Sequence, residues 1–547
     1  MIDVALPPVS SRRRLRLAWL AWLAEAIVIA GLLALALWLR VPNLDAYTGS
    51  FDEGIRVQQL LLMSAGYRPF RDIFASQGPL LLDLLYPFYL GFGQTLAAAR
   101  AGVVVCSIVG LIGAGWTARQ IAGPAAGIAA VLILAVSPTF LDGSRLALAE
   151  VPTLAPSLLA LGCLLAYRRS GNRWLLALAG CCCALAVLIK PMALHVGAPI
   201  AVMLLLPSRM SARAAQDGLT GPDALIGRDG RGADGDRTFA LGYCRRWLID
   251  VLGFGVLILA ICAIVVLMLG PAQVWDNLGA YRGGAGHKLG ADAVQNLRLT
   301  ANIMRQEQPG LFVLAGIGAL LGFWRRPVPT LALLAWAAAV LGLFALYGDL
   351  ADKHIVLLLP PVALLAAVGA GLGISAMLDT LSGLWRRQGT SWAFDRVRLV
   401  AAVLGTVGIA AYAVSLPTVN ATDRYLLRDA PKLVAERRGR AVDQEIAGII
   451  RDRTPIDGWV LADNPLAAFE ARRKVIPYLV DTSGTRIDAG SLTASLAIDQ
   501  IQRYQPSVIV TAPRRLAKLD DLIRRLPELG YRLQKSYELG WKVYVRE

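Results

Sequence analysis

The run Ser50-Phe51-Asp52-Glu53-Gly54-Ile55-Arg56 opens a mosaic of polar and apolar residues, Asn43 to Leu96, set between two long apolar runs. Two adjacent carboxylates at a membrane edge are costly to hold near lipid, so they must face water, a polar cavity or a cation. Asp52 and Glu53 are therefore functional-site candidates, set against the plainer reading that they belong to a solvated loop. The same mosaic carries Arg56, Arg68, Arg71 and Asp72, then the step Ser76-Gln77-Gly78-Pro79 and the apolar run Leu80 to Tyr89. Gly-Pro marks a turn, and the apolar run after it is too short to cross a bilayer. The loop is expected to be partly helical, to lie along the interface and to shape a cleft.

Composition puts most of the chain in lipid. Of 547 residues, 56% are hydrophobic and only 17% charged, against about 25% charged in an ordinary soluble domain. The formal net charge of +16 would suit nucleic acid, but the basic residues sit in short clusters between apolar runs, as in cytoplasmic loops of membrane proteins. Most of the seven cysteines lie within apolar stretches, three of them consecutive at Cys181, Cys182 and Cys183. Consecutive helix residues cannot all face one ion, so these read as small buried hydrophobes. Beyond Asn420 there is no cysteine, so an extracytoplasmic region there needs a core of its own.

Arg12 to Arg16 precede an apolar run, Leu17 to Leu39, broken only by Glu25. It is too long for a cleaved signal peptide and is expected to stay as an anchor. About eleven runs of spanning character follow in all: 17–39, 96–117, 124–141, 151–167, 173–190, 193–207, 248–270, 310–324, 328–347, 355–377 and 398–417. Arg12 to Arg16, Arg119, Arg168 with Arg169 and Arg173, Arg209 to Arg246, Arg325 with Arg326, and Arg386 to Arg398 then fall on one side, which the positive-inside rule makes cytoplasmic. The N-terminus is thereby inside and the C-terminal region outside. The cytoplasmic stretch Ser211 to Arg237 reads as a flexible loop, and Gly227 to Gly235 lacks the strand-turn-helix context of a nucleotide site.

Residues 1–419 are expected to form a transmembrane domain whose first extracytoplasmic loop is 40–95, and residues 420–547 an extracytoplasmic α/β domain. In the latter, Trp459 to Asp463, Lys474 to Val480, Val508 to Thr511 and Tyr537 to Val545 read as strands, interleaved with the helix-compatible Pro431 to Ile450 and Leu516 to Leu526.

Four further loops share the outer face with the first. One holds Asp142, Arg145 and Glu150; one Lys190, Pro191 and His195; one Trp275, Arg282, His287 and Lys288; one Asp349, Asp352, Lys353 and His354. All three histidines are thus extracytoplasmic. Carboxylates and cations at a water-membrane boundary suit a reaction between a lipid-borne anionic substrate and a polar acceptor: an acid group takes a proton while Arg, Lys or His neutralises a departing phosphate. Glu53, Asp142 and Glu150 are oxygen ligands suited to a divalent cation, although Arg145 is equally able to neutralise them. Lys190 and His195 are candidates to line the donor cleft, against the alternative that a lysine at a helix end only reaches for water. Arg282, His287 and Lys288 sit in a Gly-rich loop that reads either as a mobile cover or as a surface turn.

An acidic pair after the first span, an Arg-and-acid loop after the third, a Lys-Pro after the fifth, and Lys353-His354 leading into a Leu-Pro-Pro helix together resemble the membrane glycosyltransferases of the C-type fold. Among these the chain looks most like protein O-mannosyltransferases, lipid A aminoarabinose transferases and the bacterial enzymes grouped with them. The resemblance covers about the first 420 residues. It implies a bacterial plasma (inner) membrane enzyme that takes a sugar from a polyprenyl phosphate, on the outer face, with no soluble nucleotide and no nucleic acid partner. The acceptor would be a glycan, glycolipid or protein. It makes Asp52 the catalytic base with Glu53 beside it, matches Arg145 and Glu150 to the Arg-and-acid loop, and makes Lys353, with His354, the contact to the carrier phosphate, Arg145 and Lys190 being further candidates for that contact. Aminoarabinose transferases carry a Lys-Pro-Pro element in the first loop where this chain has Gln77-Gly78-Pro79, so Arg68 or Arg71 would have to substitute there. No cofactor is required beyond the divalent cation left open above. The competing classes are a secondary transporter, disfavoured by the absence of a visible inverted repeat, and a non-enzymatic membrane scaffold or sensor.

Overall fold

The computed structural model describes residues 11–206, 232–281, 283, 292–307, 309–348, 350–386, 392–416, 430–538 and 540–547. Every apolar run read from the sequence coincides with a helix or a broken pair of helices. Among the described residues, seven helices are long and apolar enough to cross a membrane: Trp19–Arg40, Leu96–Ala122, Glu150–Ser170, Trp247–Leu269, Pro327–Leu346, Asp352–Ser382 and Arg396–Ser415. The bent pair Ala293–Arg305 and Pro309–Arg325 makes up to an eighth, and Leu80–Gly91, Pro124–Val136, Arg173–Ile189 and Pro191–Leu205 are apolar but shorter. The chain is a polytopic α-helical membrane protein with a C-terminal α/β domain.

Burial grades the helices from centre to rim. The span Asp352–Ser382 is 94% buried over its most apolar window, whereas Trp19–Arg40 and Trp247–Leu269 are 6% buried and turn Trp22, Ile27, Leu259 and Leu267 outward as a lipid-facing surface. The central helix admits neighbours because it is rich in small residues, Ala363, Ala366, Ala367, Gly369 and Ala370. A Cβ on Gly318 would stand 1.8 Å from the Leu365 carbonyl oxygen, so helix Pro309–Arg325 meets it backbone to backbone, the packing that lipid favours where no hydrophobic drive exists between helices. One charge inside the bundle is paired locally: Glu25 of the first helix accepts from Arg119 at 2.6 Å.

The first loop folds as two helices, Phe51–Ser64 and Leu80–Gly91. The first of them starts where the Ser50 hydroxyl accepts from the Glu53 amide, with Asp52 and Glu53 in the first turn, where the exposed amides and the helix dipole favour negative charge. It is apolar on more than one face. Val57 and Leu60 join the transmembrane core, while Ile55 and Leu62 join a second core shared with Ile446, Val460, Ala467 and Val475 of the C-terminal domain. Gly54 makes this double burial sterically possible, since a Cβ there would lie 2.6 Å from the Leu466 amide nitrogen. Gly78, at the turn, is held as tightly from below: its Cβ would meet the Leu188 carbonyl oxygen at 2.2 Å.

The C-terminal domain is built on a five-stranded sheet of order β2-β1-β3-β5-β4, with β1 Trp459–Ala462, β2 Lys474–Val475, β3 Val508–Thr511, β4 Tyr531–Ser536 and β5 Lys542–Arg546. Strands β2, β1 and β3 run parallel, and β5 and β4 complete the sheet antiparallel. The expected strand 537–545 is therefore displaced: β4 ends at Ser536 and β5 begins at Lys542, because the two form a hairpin across the turn between them. Lys474 to Val480 gives only a two-residue strand before Pro477 opens a short 3-10 turn.

Asp463, fully buried at the end of β1, straps β1 to the turn after β3. Its Oδ2 accepts from the amides of Ala512 at 2.6 Å and Leu516 at 3.0 Å. Burial pushes its carboxyl up to about 7, only partly countered by the Thr482 hydroxyl, those amides and the Arg515 charge. A folded-state value above the unfolded one means that the protonated form stabilises the fold, fully below about pH 4 and progressively less as pH rises through about 7. Melting of the full-length protein in detergent should accordingly fall between pH 5 and pH 8, and Asp463→Asn should flatten that part of the profile; an unchanged slope would rule the strap out as its source.

Candidate active site

Glu53 is the most completely bonded side chain of the site. It is fully buried and takes a two-pronged ion pair from Arg100, Nε to Oε1 at 2.7 Å and a terminal nitrogen to Oε2 at 2.6 Å. The Ala147 amide at 2.8 Å and the Thr48 hydroxyl at 2.8 Å fill its remaining acceptor positions. Arg100 in turn donates to the Leu44 and Ala46 carbonyls, both at 2.7 Å. Glu53 thus ties the first loop to the span Leu96–Ala122 and to the loop that precedes the span Glu150–Ser170. All of its acceptor positions are occupied, and the carboxylate expected beside the catalytic base fixes the helix turn that carries Asp52.

That neighbour, Asp52, is partly exposed and pairs with Lys353 from the 3-10 segment Asp352–Leu358. Burial would raise its carboxyl, but the Lys353 ammonium, by charge and by hydrogen bond, with Arg56 adding to it, holds it below the usual carboxylate range. A second pairing lies beside the first. Glu150, the first residue of its span, accepts from Lys190 Nζ at 2.5 Å, and His354 Nε2 stands 3.7 Å from the same oxygen. The His354 Nδ1 accepts the Ala351 amide at 3.1 Å, which leaves Nε2 to carry the proton and face Glu150. Loops one, two, three and five therefore meet in one cluster of opposed charges.

An apolar cavity of about 490 Å³ opens alongside, between helices Leu80–Gly91, Leu96–Ala122, Glu150–Ser170 and Arg173–Ile189. Leu84, Phe88, Val109, Pro156 and Leu185 line it, and Pro152 and Ile189 bring its wall close in sequence to Glu150 and Lys190.

The other expected residues fall elsewhere. Arg145 is buried and donates to the carbonyls of Leu39, at 3.0 Å, and Pro42, so it clamps the end of the first span. Arg40, hidden in the sequence at the end of an apolar run, does the same from the other side through Ser144 at 3.0 Å and the Ala135 carbonyl at 3.2 Å. His195 is buried against Trp336, whose indole donates to its Nδ1 at 2.9 Å, and its Nε2 has no partner among the described residues. Arg68 and Arg71, the expected substitutes for a first-loop lysine, are exposed, and Arg68 turns to Asp72 at 3.9 Å. Asp142 lies half-buried in the short helix Pro138–Gly143. Among the described residues no group of three or more His, Cys, Asp or Glu is placed to hold a metal ion. The expected trio of Glu53, Asp142 and Glu150 is not gathered, because Arg100 and Lys190 occupy two of its members. Arg282, His287 and Lys288 lie outside the described residues.

Residues 77–217 match the model of the dolichyl-phosphate-mannose-protein mannosyltransferase family. Among curated proteins no sequence match is found. Solved structures do match in fold. The crystal structure of ArnT from Cupriavidus metallidurans bound to undecaprenyl phosphate aligns over 96% of this chain and 98% of that one, at 17% identity and a TM-score of 0.57. The archaeal oligosaccharyltransferase AglB from Archaeoglobus fulgidus, in complex with an inhibitory peptide and a dolichol-phosphate, aligns over 90% of this chain and 70% of that one, at 16% identity and a TM-score of 0.54. At such identities it is the fold that is shared. The chain has the C-type architecture of these membrane proteins, with its own α/β domain seated on the first loop.

Removing one partner of a buried ion pair strands the other charge, at about 3–5 kcal/mol. Arg100→Leu should destabilise the protein by that order in denaturant or thermal unfolding. The double variant Glu53→Leu/Arg100→Leu should recover part of the loss, because no charge is then stranded; a strictly additive double variant would show that the two residues do not act as a pair.

Proposed function

We propose that the protein transfers a sugar from a polyprenyl-phosphate-linked donor to a glycan, lipid or protein acceptor on the extracytoplasmic face of the inner membrane. The observation that carries this reading is the meeting of Asp52, Lys353, His354, Glu150 and Lys190 in one cluster beside an apolar cavity open to the helices of the bundle. The cavity suits the hydrocarbon of a carrier lipid, and the lysines of the adjoining cluster, Lys190 next in sequence to the lining residue Ile189, suit the carrier phosphate. The shared fold with ArnT and AglB, and the family match over residues 77–217, support the same class of donor.

In this reading residues 1–419 form an eleven-span transferase domain with the N-terminus cytoplasmic, and residues 420–547 an extracytoplasmic domain. Transfer proceeds with inversion: an acceptor oxygen or nitrogen attacks the anomeric carbon, the bond from that carbon to the phosphate oxygen breaks, and the electron pair leaves with the polyprenyl phosphate. Asp52 takes the acceptor's proton. Lys353 meets the charge that develops on the leaving phosphate, with Lys190 and His354 behind it. In the resting protein Lys353 is spent on Asp52, so a phosphate that draws the ammonium away also returns basicity to the carboxylate.

Asp52→Asn should lower release of radiolabelled sugar from polyprenyl phosphate by about 10²-fold or more while leaving thermal unfolding unchanged; near-normal turnover would remove Asp52 from this role. Because Lys353 holds the Asp52 carboxyl low, the acid limb of kcat/KM for the free enzyme should lie below the usual carboxylate range. Lys353→Gln removes the strongest opposition to burial and leaves only the weaker pull of Arg56, so the residual activity should show that limb moved to higher pH. An acid limb that stays in place would mean that another group titrates.

A further inference from the structure

The parallel part of the C-terminal sheet has a point at which its winding reverses. From β1 the chain passes to β2 on one side and then to β3 on the other. In open α/β sheets the crevice between the carboxyl ends of two such strands is where ligands bind. Here those ends carry Asp463, after β1, and the turn Ala512 to Leu516, after β3.

Arg515 leaves this crevice and reaches the membrane domain. One terminal nitrogen donates to the Asp463 carbonyl at 2.6 Å, while the Asp463 carboxyl holds the amides on either side of it in sequence, Ala512 and Leu516. The guanidinium then lies face-on over the Phe51 ring, 3.6 Å from its centroid, and Phe51 is the residue before Asp52. The charge of Asp52 acts on Arg515 together with those of Asp463 and Asp481.

A count of charges distinguishes Arg515 from its neighbours. Lys353 is paired with Asp52, Lys190 with Glu150 and Arg100 with Glu53. Among the described residues Arg515 makes no ion pair within 4.0 Å; its contacts are a carbonyl and an aromatic face. It is half-buried rather than enclosed. A planar cation fixed by a backbone bond on one edge and a ring beneath it keeps its other donors for an anionic oxygen, which a guanidinium binds in a two-pronged way.

We propose that Arg515 is a substrate-contacting residue of this site, binding a phosphate oxygen of the polyprenyl carrier from the solvent side of Asp52 while Lys353 meets it from the membrane side. The inference rests on the donor class proposed above and extends it: the C-terminal domain supplies part of the active site, and the site is complete only when that domain is seated on helix Phe51–Ser64.

The test is titration of undecaprenyl phosphate into the full-length protein in nanodiscs, with melting temperature recorded for each variant. Arg515→Gln keeps a donor for the Asp463 carbonyl and removes the charge, and should weaken binding about tenfold, the effect of one charge-assisted hydrogen bond. Arg514→Gln removes the same charge from the exposed neighbouring position and should stay within about twofold of the unsubstituted protein, a change no larger than a surface charge is worth. Arg515→Lys retains the charge and should lie between the two.

Equal effects of Arg515→Gln and Arg514→Gln would overturn the inference while leaving the carrier-lipid reading intact. No binding by the unsubstituted protein would instead overturn that reading, and this one with it. Should Arg515→Gln melt early, Arg515→Lys decides: binding equal to that of the unsubstituted protein at an unchanged melting temperature, or binding that falls only where the melting temperature falls with it, would make Arg515 a packing residue and end the proposal.

Discussion

A carboxylate with no access to water must be answered by donors, and in this protein the answering of Glu53 organises the charged cluster around the first loop. Its four hydrogen bonds come from three places in the chain: two from Arg100 in a span, one from the Ala147 amide just before the span Glu150–Ser170, and one from Thr48 just before its own helix. Together they fix the rotation and height of helix Phe51–Ser64, and with it the direction of Asp52. A buried pair of this kind contributes little net stability, since desolvation offsets most of the attraction. What it supplies here is geometry, because any rotation of the helix would strand either Glu53 or Arg100.

The same helix is the seam between two environments. It contributes Leu60 to the membrane core and Leu62 to the core of the soluble domain, while Gln58 bonds the Arg473 carbonyl at 2.9 Å and Ser76 bonds Asp481 at 2.9 Å. Tyr47 adds a bond to Asp443 at 2.6 Å. These contacts join groups several hundred residues apart in the chain. They make the seat of the C-terminal domain a continuation of the site, so that residues beyond the membrane helices come within reach of Asp52.

Charge pairing at the cluster has a functional logic. Lys353 and Lys190 are each held by a carboxylate, which is the least costly way to keep both signs at a membrane edge. Under the proposed transfer, a phosphate entering such a cluster would exchange partners with groups already in place, and little reorganisation would be needed as charge develops. Glu150 illustrates this, standing between Lys190 and His354 with one oxygen turned to both.

The amino-acid sequence alone determined the membrane-embedded helical architecture, the α/β character of the C-terminal region, and the candidacy of Asp52, Lys353, Glu150 and Lys190. Those features follow from the length and periodicity of apolar runs and from charges placed at their ends, which are local properties of the chain. Arg40 and Arg100 were illegible because each lies within or at the edge of an apolar run, where a lone arginine reads as part of the span until its buried partner is known. Arg515 was illegible for the opposite reason, being one basic residue among several in a polar segment. Only the tertiary structure decided which charges meet: Lys353 reaches Asp52 across 301 positions of sequence, and Glu53, adjacent to Asp52 and chemically its equal, is taken by Arg100 instead. Ion pairing depends on separation in space and on exclusion of water, and neither is set until the helices have packed.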